Sequence, residues 1–485
     1  MSEQKHQGAV SFIKNLLGFS ASSYVGLVIT LLATVVNTRL FVPSDLGKIN
    51  LFITVGTVLT YVGYLGVDQS FCRYYNEKKG PEWPNRLLNV CFSLSLYAFF
   101  VIAAISLIGW RSISEYIGGV ESFAVIVFLV IYVFSQIVCR YVSLIQRMSY
   151  RVLSYSVLLI CMSFANKLAY SLVGIWRPDF GAAIASMAIA YIIIAAVFLG
   201  MIMSRYKYRI RLVEPLSRDS KMVLRFGLPL MPTSLLSWAN ASIPIFVIQG
   251  IIGYSSVGIY SSAMSIAGAM ALVQSGFNTF WVPFVYKNYE DKSEIIKKVQ
   301  NILVYVLVTA GLVLIMCQDL LYLLVGESYQ AGKVFMPFLL LAPICSTIAE
   351  ATGIGINISE KSYLNIIHYF CGIVSSLLLA CILVPFLGLV GAALSVAISS
   401  VVVLVVRSFL GNKYYVSIES RYRTSISIVL LFAGATLNCV FVDSVLRYFC
   451  PLILIFALSF VFRKDLPYLF DVAKSAIRQF GKDER

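Results

Sequence analysis

The sequence predicts an all-α polytopic membrane protein of about fourteen transmembrane helices. It places them as two parallel six-helix lobes plus two C-terminal helices. Three observations predict this fold: apolar stretches of membrane-spanning length along the whole chain, an uneven division of Lys and Arg among the gaps, and a weak internal repeat. Hydrophobic residues make up 59% of the 485 residues, charged residues 13%, and the mean hydropathy is +0.85. A soluble domain carries about 25% charged residues.

The charges set the orientation. We number the apolar stretches as helices 1 to 14, from near Leu16 to near Phe462, with the N-terminus inside. The inner gaps and tails then hold 31 Lys and Arg, the outer gaps 6, and Lys167 falls within helix 5, which accounts for all 38. Basic segments are translocated poorly, so this split puts both termini in the cytoplasm. The net charge of +15 belongs to loops facing anionic headgroups rather than to a nucleic-acid surface. The first 14 residues are polar and the apolar run after them is too long for a signal core, so no cleaved leader is expected. Ten scattered cysteines and two histidines, His6 and His368, show no metal-type spacing, so no metal site and no cofactor are expected.

Matching segments recur 206 to 211 residues apart: GAAIAS at Gly181–Ser186 with GAALSV at Gly391–Val396, SDLG at Ser44–Gly47 with SSVG at Ser255–Gly258, and ESF at Glu121–Phe123 with ESY at Glu327–Tyr329. The near-constant offset reads as a duplication of a six-helix unit. An even number of helices returns the chain to the same side, so the two copies are parallel. The expected domains are residues 1–214, residues 215–412, and residues 413–485, which hold two further helices and a basic cytoplasmic tail. The segment Ser204–Lys221, rich in Arg and Lys, is the cytoplasmic connection.

Polar residues fall on helical faces. Helix 1 carries Ser23, Gly26, Thr30, Thr34 and Asn37; helix 2 carries Thr54, Thr57, Tyr61, Tyr64 and Asp68. Helix 7 carries Ser234, Ser237, Asn240 and Pro244, and helix 8 carries Gln274 and Asn278 one turn apart. A polar stripe facing lipid is costly, so these faces turn inward. The small and hydroxyl members also suit plain helix packing, whereas Asp, Asn, Gln and Tyr suit an aqueous cavity.

Two charges lie deep. Lys167 sits eight residues before the outer end of helix 5, roughly 12 Å from it, too far to reach the interface comfortably. It reads as a contact for an anionic substrate or as half of a structural ion pair. Glu350 in helix 10 has small and polar neighbours, Ser346, Thr347, Gly353 and Asn357. It reads as a proton or Na⁺ coupling residue, as a partner of Lys167, or as a protonated structural carboxyl. The run Pro343–Gly355 is expected to be an irregular helix.

Several stretches carry a family resemblance: NTRLFVPSDLGKINLF (Asn37–Phe52), LGVDQSFCRYYNE (Leu65–Glu77), RFGLPLMPTSLLSW (Arg225–Trp238), VGIYSSAMSIA (Val257–Ala267), WVPFVYKNYED (Trp281–Asp291) and the Gly-Ala-Ala openings of helices 6 and 12. Together they cover nearly the whole chain. In their order and topology the chain resembles Wzx-type polysaccharide and O-antigen repeat-unit flippases of the multidrug/oligosaccharidyl-lipid/polysaccharide (MOP) exporter superfamily. The resemblance implies a MATE-like fold in a bacterial cytoplasmic (inner) membrane. It implies alternating access that flips undecaprenyl-pyrophosphate-linked oligosaccharide repeat units for O-antigen and lipopolysaccharide, capsule or exopolysaccharide biosynthesis. Implied partners are the lipid-linked glycan, membrane lipids, and the polymerase and chain-length regulator of the pathway. Many relatives carry an Asp-Arg pair late in helix 7, where this chain has Ile243–Pro244, so no role for a charge on that helix carries over.

An anionic diphosphate with a glycan calls for cations and hydrogen-bonding side chains in a wet cavity. The candidate substrate-binding residues are Lys167, Asp68, Tyr61, Tyr64, Asn240, Gln274, Asn278, Arg73 and Arg140, and the ion-coupling candidate is Glu350. Further cations near the inner mouth are Lys14, Arg147 and Arg151; any of these arginines and lysines also serves as a topogenic charge. The rival reading is a cation-coupled, MATE-like multidrug exporter. An enzyme is not expected, because the outer loops are short and their acids lie far apart, and no nucleotide-binding glycine motif is present.

Overall fold

A computed structural model describes residues 24–467, apart from 78–79, 207, 216, 272–273, 275–276, 278–280, 282–283, 287–288, 291–292, 360, 362 and 443. The described residues are helical with short connections, and no strand occurs among them. We label the long apolar helices α1 (Tyr24–Leu40), α2 (Pro43–Tyr64), α3 (Trp83–Ile108), α4 (Phe123–Met148), α5 (Val152–Gly174), α6 (Phe180–Arg205), α7 (Arg218–Ile251) and α8 (Tyr254–Ala267). They continue with α9 (Ser293–Met316), α10 (Gly332–Thr352), α11 (364–387), α12 (389–412), α13 (Arg421–Val440) and α14 (Leu446–Val461). The last four come from three continuous stretches, because Leu364–Asn412 is two helices broken at Gly388 (φ 57°, ψ −132°). That backbone is open to glycine and closed to most side chains. The predicted order of apolar helices is thus observed, in a multi-pass membrane protein.

Breaks fall where the sequence weakens the helical ladder. The α5 helix is interrupted at Leu168. The start of α7 tightens into a 3-10 turn at Leu228–Leu230, next to Pro229 and Pro232. The α10 region is irregular as expected: it runs as Gly332–Leu339, Leu341–Thr352 and Ile354–Ile358, interrupted at Leu340 and Gly353. Helix α6 starts cleanly because Asp179 accepts the Ala182 N–H at 2.8 Å, a cap worth about 1 kcal/mol.

The helices sort into two compact units, Met1–Ser262 with Val325–Tyr329, and Ala263–Leu324 with Gln330–Arg485. In the first unit α2 is buried among α4, α6, α7 and α8. Glycines let it come close. A Cβ on Gly47 would overlap the Tyr254 carbonyl, and one on Gly258 would overlap the Pro43 carbonyl. At the other end of α2, Gly66 and Gly227 meet backbone to backbone in the same way. The Val325–Tyr329 segment joins this unit through Gly326 N–H to Thr38 Oγ1 at 3.2 Å and Tyr329 OH to the Phe41 carbonyl at 2.8 Å.

In the second unit α10 packs on α12 through Gly353, Gly355 and Gly411, where any added Cβ would meet backbone or the Arg407 stem. Asp319 is held by Lys333, Arg447 and the Tyr448 hydroxyl. Arg111 pairs with Glu121 and Arg177 with Asp179. Four of the six basic residues in the sparse loops therefore have an acid beside them. The threonine stripes are also explained: Thr30, Thr34, Thr38, Thr54, Thr57 and Thr60 each donate to a carbonyl one turn back in their own helix. Such hydroxyls are satisfied locally and pack without needing a cavity.

Candidate functional site

The clearest polar cluster lies in the first unit, where α2 ends. Tyr64 is followed by Leu65 and Gly66, both at positive φ (50° and 69°), and the chain re-enters a short helix, Val67–Tyr74. This two-residue turn swings Asp68 toward α4. There Arg140 donates to Asp68 Oδ2 from Nη2 at 2.6 Å and from Nε at 3.2 Å. Gln69 adds a third hydrogen bond to the same oxygen at 3.0 Å. The guanidinium lies 5.9 Å from the Tyr64 ring centre, and Tyr61 packs edge-on against Tyr64. Asp68 is buried while the Arg140 side chain keeps 33% of its surface exposed. Four of the predicted residues, Tyr61, Tyr64, Asp68 and Arg140, thus form one group. It offers a held cation with an accessible face and aromatic neighbours, a combination suited to an anionic oxygen.

Lys167 ends the first segment of α5, at the helix break. Asn37 pins that break: its Nδ2 donates to the Lys167 carbonyl at 3.0 Å and its Oδ1 accepts from Ser171 Oγ at 2.5 Å. Asn37 is therefore a buried structural contact rather than a cavity residue. The Lys167 ammonium makes no ion pair among the described residues.

The other candidates are scattered. Arg73 is exposed at the end of its short helix, 5.9 Å over the Tyr74 ring, and makes no contact with Arg140 among the described residues. Asn240 on α7 is partly buried, and its Oδ1 lacks a partner among the described residues. Gln274, in the second unit, donates to Ser346 Oγ on α10 at 3.0 Å. Asn278 and Lys14 lie outside the described residues.

Glu350 has a partner that the sequence reading did not assign. Both its oxygens are taken by Arg407 of α12, at 2.6 and 2.7 Å, in a fork-to-fork pair. Arg407 was counted with the inner loop charges, yet its side chain is 9% exposed. Gly353 makes the room: a Cβ there would sit 2.7 Å from Arg407 Cγ. The signal in the sequence is the flanking VVVLVV and SFLG, which put Arg407 inside an apolar helix. A pair with Lys167 is not needed to explain Glu350.

A family model described as polysaccharide biosynthesis protein matches residues 36–331. The chain belongs to that family. It is also 26% identical, over 238 residues, to the capsular polysaccharide biosynthesis protein CapF of Staphylococcus aureus, a match spanning 45% of this chain and 58% of that relative. Among solved structures, the lipid II flippase MurJ in an inward closed conformation superposes with a TM-score of 0.70 at 14% identity, covering 92% of this chain and 99% of MurJ. An inward-facing MATE multidrug transporter of the MOP superfamily gives 0.56 at 17% identity, covering 83% and 95%. The MOP exporter fold expected from the sequence is the fold observed.

Proposed function

We propose that this chain flips undecaprenyl-pyrophosphate-linked oligosaccharide repeat units from the cytoplasmic to the outer face of the bacterial cytoplasmic membrane by alternating access. The observation that carries the reading is the family: a polysaccharide biosynthesis protein built on a transporter fold. A hydrophilic glycan loses many hydrogen bonds on entering hydrocarbon. A flippase offsets that loss with a polar path for the head while the polyprenyl chain stays in lipid. Arg140 and Lys167 supply cations for the diphosphate, and Tyr61 and Tyr64 supply rings for the sugars. The charge split orients both termini to the cytoplasm.

Mass spectrometry of lipid-linked intermediates in a deletion strain tests the reading. Undecaprenyl-pyrophosphate repeat units should accumulate, and the plasmid-borne gene should clear them. Normal intermediates combined with dye export would favour the multidrug alternative. Reporter fusions at Pro215 and Asp291 should read cytoplasmic, and fusions at Gly118, Trp176 and Gly326 external. An external signal at Pro215 would refute the orientation.

Glu350 is proposed to couple transport to a H⁺ or Na⁺ gradient. Its support is the geometry of the pair: H⁺ or Na⁺ on the carboxylate reduces its negative charge and so weakens its hold on Arg407. Glu350→Gln should bind cargo but stop gradient-driven transport. Transport by that variant that still follows an imposed gradient would remove Glu350 from this role.

A further inference from the structure

The basic end of the first unit holds a cavity of about 890 Å³, separate from the Arg140 group, around Arg86, Arg151, Tyr206, Tyr208, Arg209 and Arg211. One wall is a strap. Residues 208–213 run without regular structure along α3, and alternate backbone N–H groups are received by side chains one helical turn apart. Arg209 donates to Asn85 Oδ1 at 2.9 Å, Arg211 to Asn89 Oδ1 at 3.1 Å and Val213 to Ser93 Oγ at 3.0 Å. Tyr97, one turn further, donates to the Val213 carbonyl at 3.3 Å. Two extended residues advance about 6.6 Å and four helical residues about 6 Å, so the two ladders stay in step over this length. The strap fixes two arginines at the rim.

Arg151 stacks on the Tyr206 ring at 3.2 Å from its centre, and its Nη1 is buried without a partner among the described residues. Arg86 is committed to Asp219 at 2.6 Å. Arg151, Arg209 and Arg211 make no ion pair among the described residues, and Glu82 is the acid that lines the cavity. Tyr208 shares a hydrogen bond with Tyr75, and this bond, after burial, pushes its phenol up to about 12, so it stays protonated at neutral pH. The apolar helices α3, α4 and α6 all have an end here, and the ends of spanning helices meet the headgroup layer of a bilayer. The start of α3 adds the partial positive charge of a helix N-terminus.

We propose that this cavity is a binding site for the phosphate group of a membrane amphiphile. Guanidinium forks match phosphate oxygens, and basic pockets between helix ends take anionic headgroups. An acidic glycerophospholipid and a polyprenyl diphosphate carry the same chemistry, and the site stands whatever the transporter's cargo is.

The test uses full-length protein in nonionic detergent, with phosphatidylglycerol, phosphatidylcholine and sodium pyrophosphate as probes, read by native mass spectrometry. Phosphatidylglycerol should bind at least tenfold tighter than phosphatidylcholine, and Arg209→Gln with Arg211→Gln should abolish that preference. The two arginines are exposed, so the double variant should melt as the wild type does. Arg151→Met, which keeps an apolar stem, should act in the same direction. Displacement of the lipid by pyrophosphate assigns the site to diphosphates as well; lipid binding that resists pyrophosphate assigns it to glycerophospholipid headgroups. Binding of pyrophosphate alone, lost in the double variant, assigns it to diphosphates only. Equal displacement by potassium chloride at matched ionic strength, or undiminished binding by the double variant, overturns the proposal.

Discussion

The Asp68–Arg140 pair of the first unit and the Glu350–Arg407 pair of the second are built in opposite senses. In the first unit the acid is sealed and the base is accessible: the Asp68 side chain is 7% exposed and Arg140 33%. In the second the base is sealed and the acid is accessible: Arg407 is 9% exposed and Glu350 27%. Glu350 follows Arg140 by 210 residues, the offset that separates Gly181 from Gly391. The geometry differs too. Arg140 binds one oxygen of its partner from the side, and Arg407 engages both oxygens of Glu350. The first unit therefore presents a cation that can add a second anionic ligand, whereas the second presents a carboxylate with both oxygens engaged by one guanidinium.

The contrast predicts unequal costs. Arg407→Met leaves Glu350 uncompensated in the tighter pair and should destabilise the protein by about 3–5 kcal/mol, seen as a lower Tm in detergent. Adding Glu350→Leu should recover most of the loss, because a buried pair exchanged for apolar side chains is close to neutral. A neutral single variant would mean that the pair does not hold α10 to α12. Arg140→Ala strands the sealed Asp68, which keeps the Gln69 hydrogen bond, and should cost about 3 kcal/mol, the low end of that range. Its larger effect should be on export, at least a tenfold loss, with Arg140→Lys intermediate. Export that falls only in proportion to protein level would make Arg140 structural, like Arg407. Lys167→Met is the smallest expected change in stability, under about 0.5 kcal/mol, because no partner is stranded. Export should nevertheless fail, and Lys167→Arg should retain part of it. Normal export by Lys167→Met would leave Arg140 as the principal cation for the cargo.

Helix order, family and the irregular stretch at Gly353 were legible because they rest on local signals, runs of apolar residues and Pro and Gly at an interruption, whereas the break at Leu168 has neither Pro nor Gly beside it. The few basic residues of the sparse loops have a structural counterpart. Arg111 and Arg177 each sit beside an acid, and Lys333 and Arg447 share Asp319, so three acids offset four of the six basic residues there. The grouping of Asp68 with Tyr61 and Tyr64 was legible from helical spacing, although the turn at Leu65–Gly66 that aims Asp68 was not. Arg407 was missed because counting charges by gap treats a residue five places from a helix end as loop. The strap on α3 was missed because its pattern is split: Asn85, Asn89 and Ser93 recur every four residues, while their partners Arg209, Arg211 and Val213 recur every two, more than a hundred residues later.

The contact of Gly47 with Gly258 joins matched residues of the repeat, the last of SDLG with the last of SSVG. It has the form of an isologous contact in a symmetric dimer, where a residue must be complementary to its own copy. In a half-length ancestor one codon would have served both sides, and any side chain larger than hydrogen would have met itself. After gene fusion the two positions are free to change separately, yet neither gains room by changing alone, because the opposing surface is backbone. Neither glycine can be exchanged while the other keeps its backbone in place, so the close approach holds both.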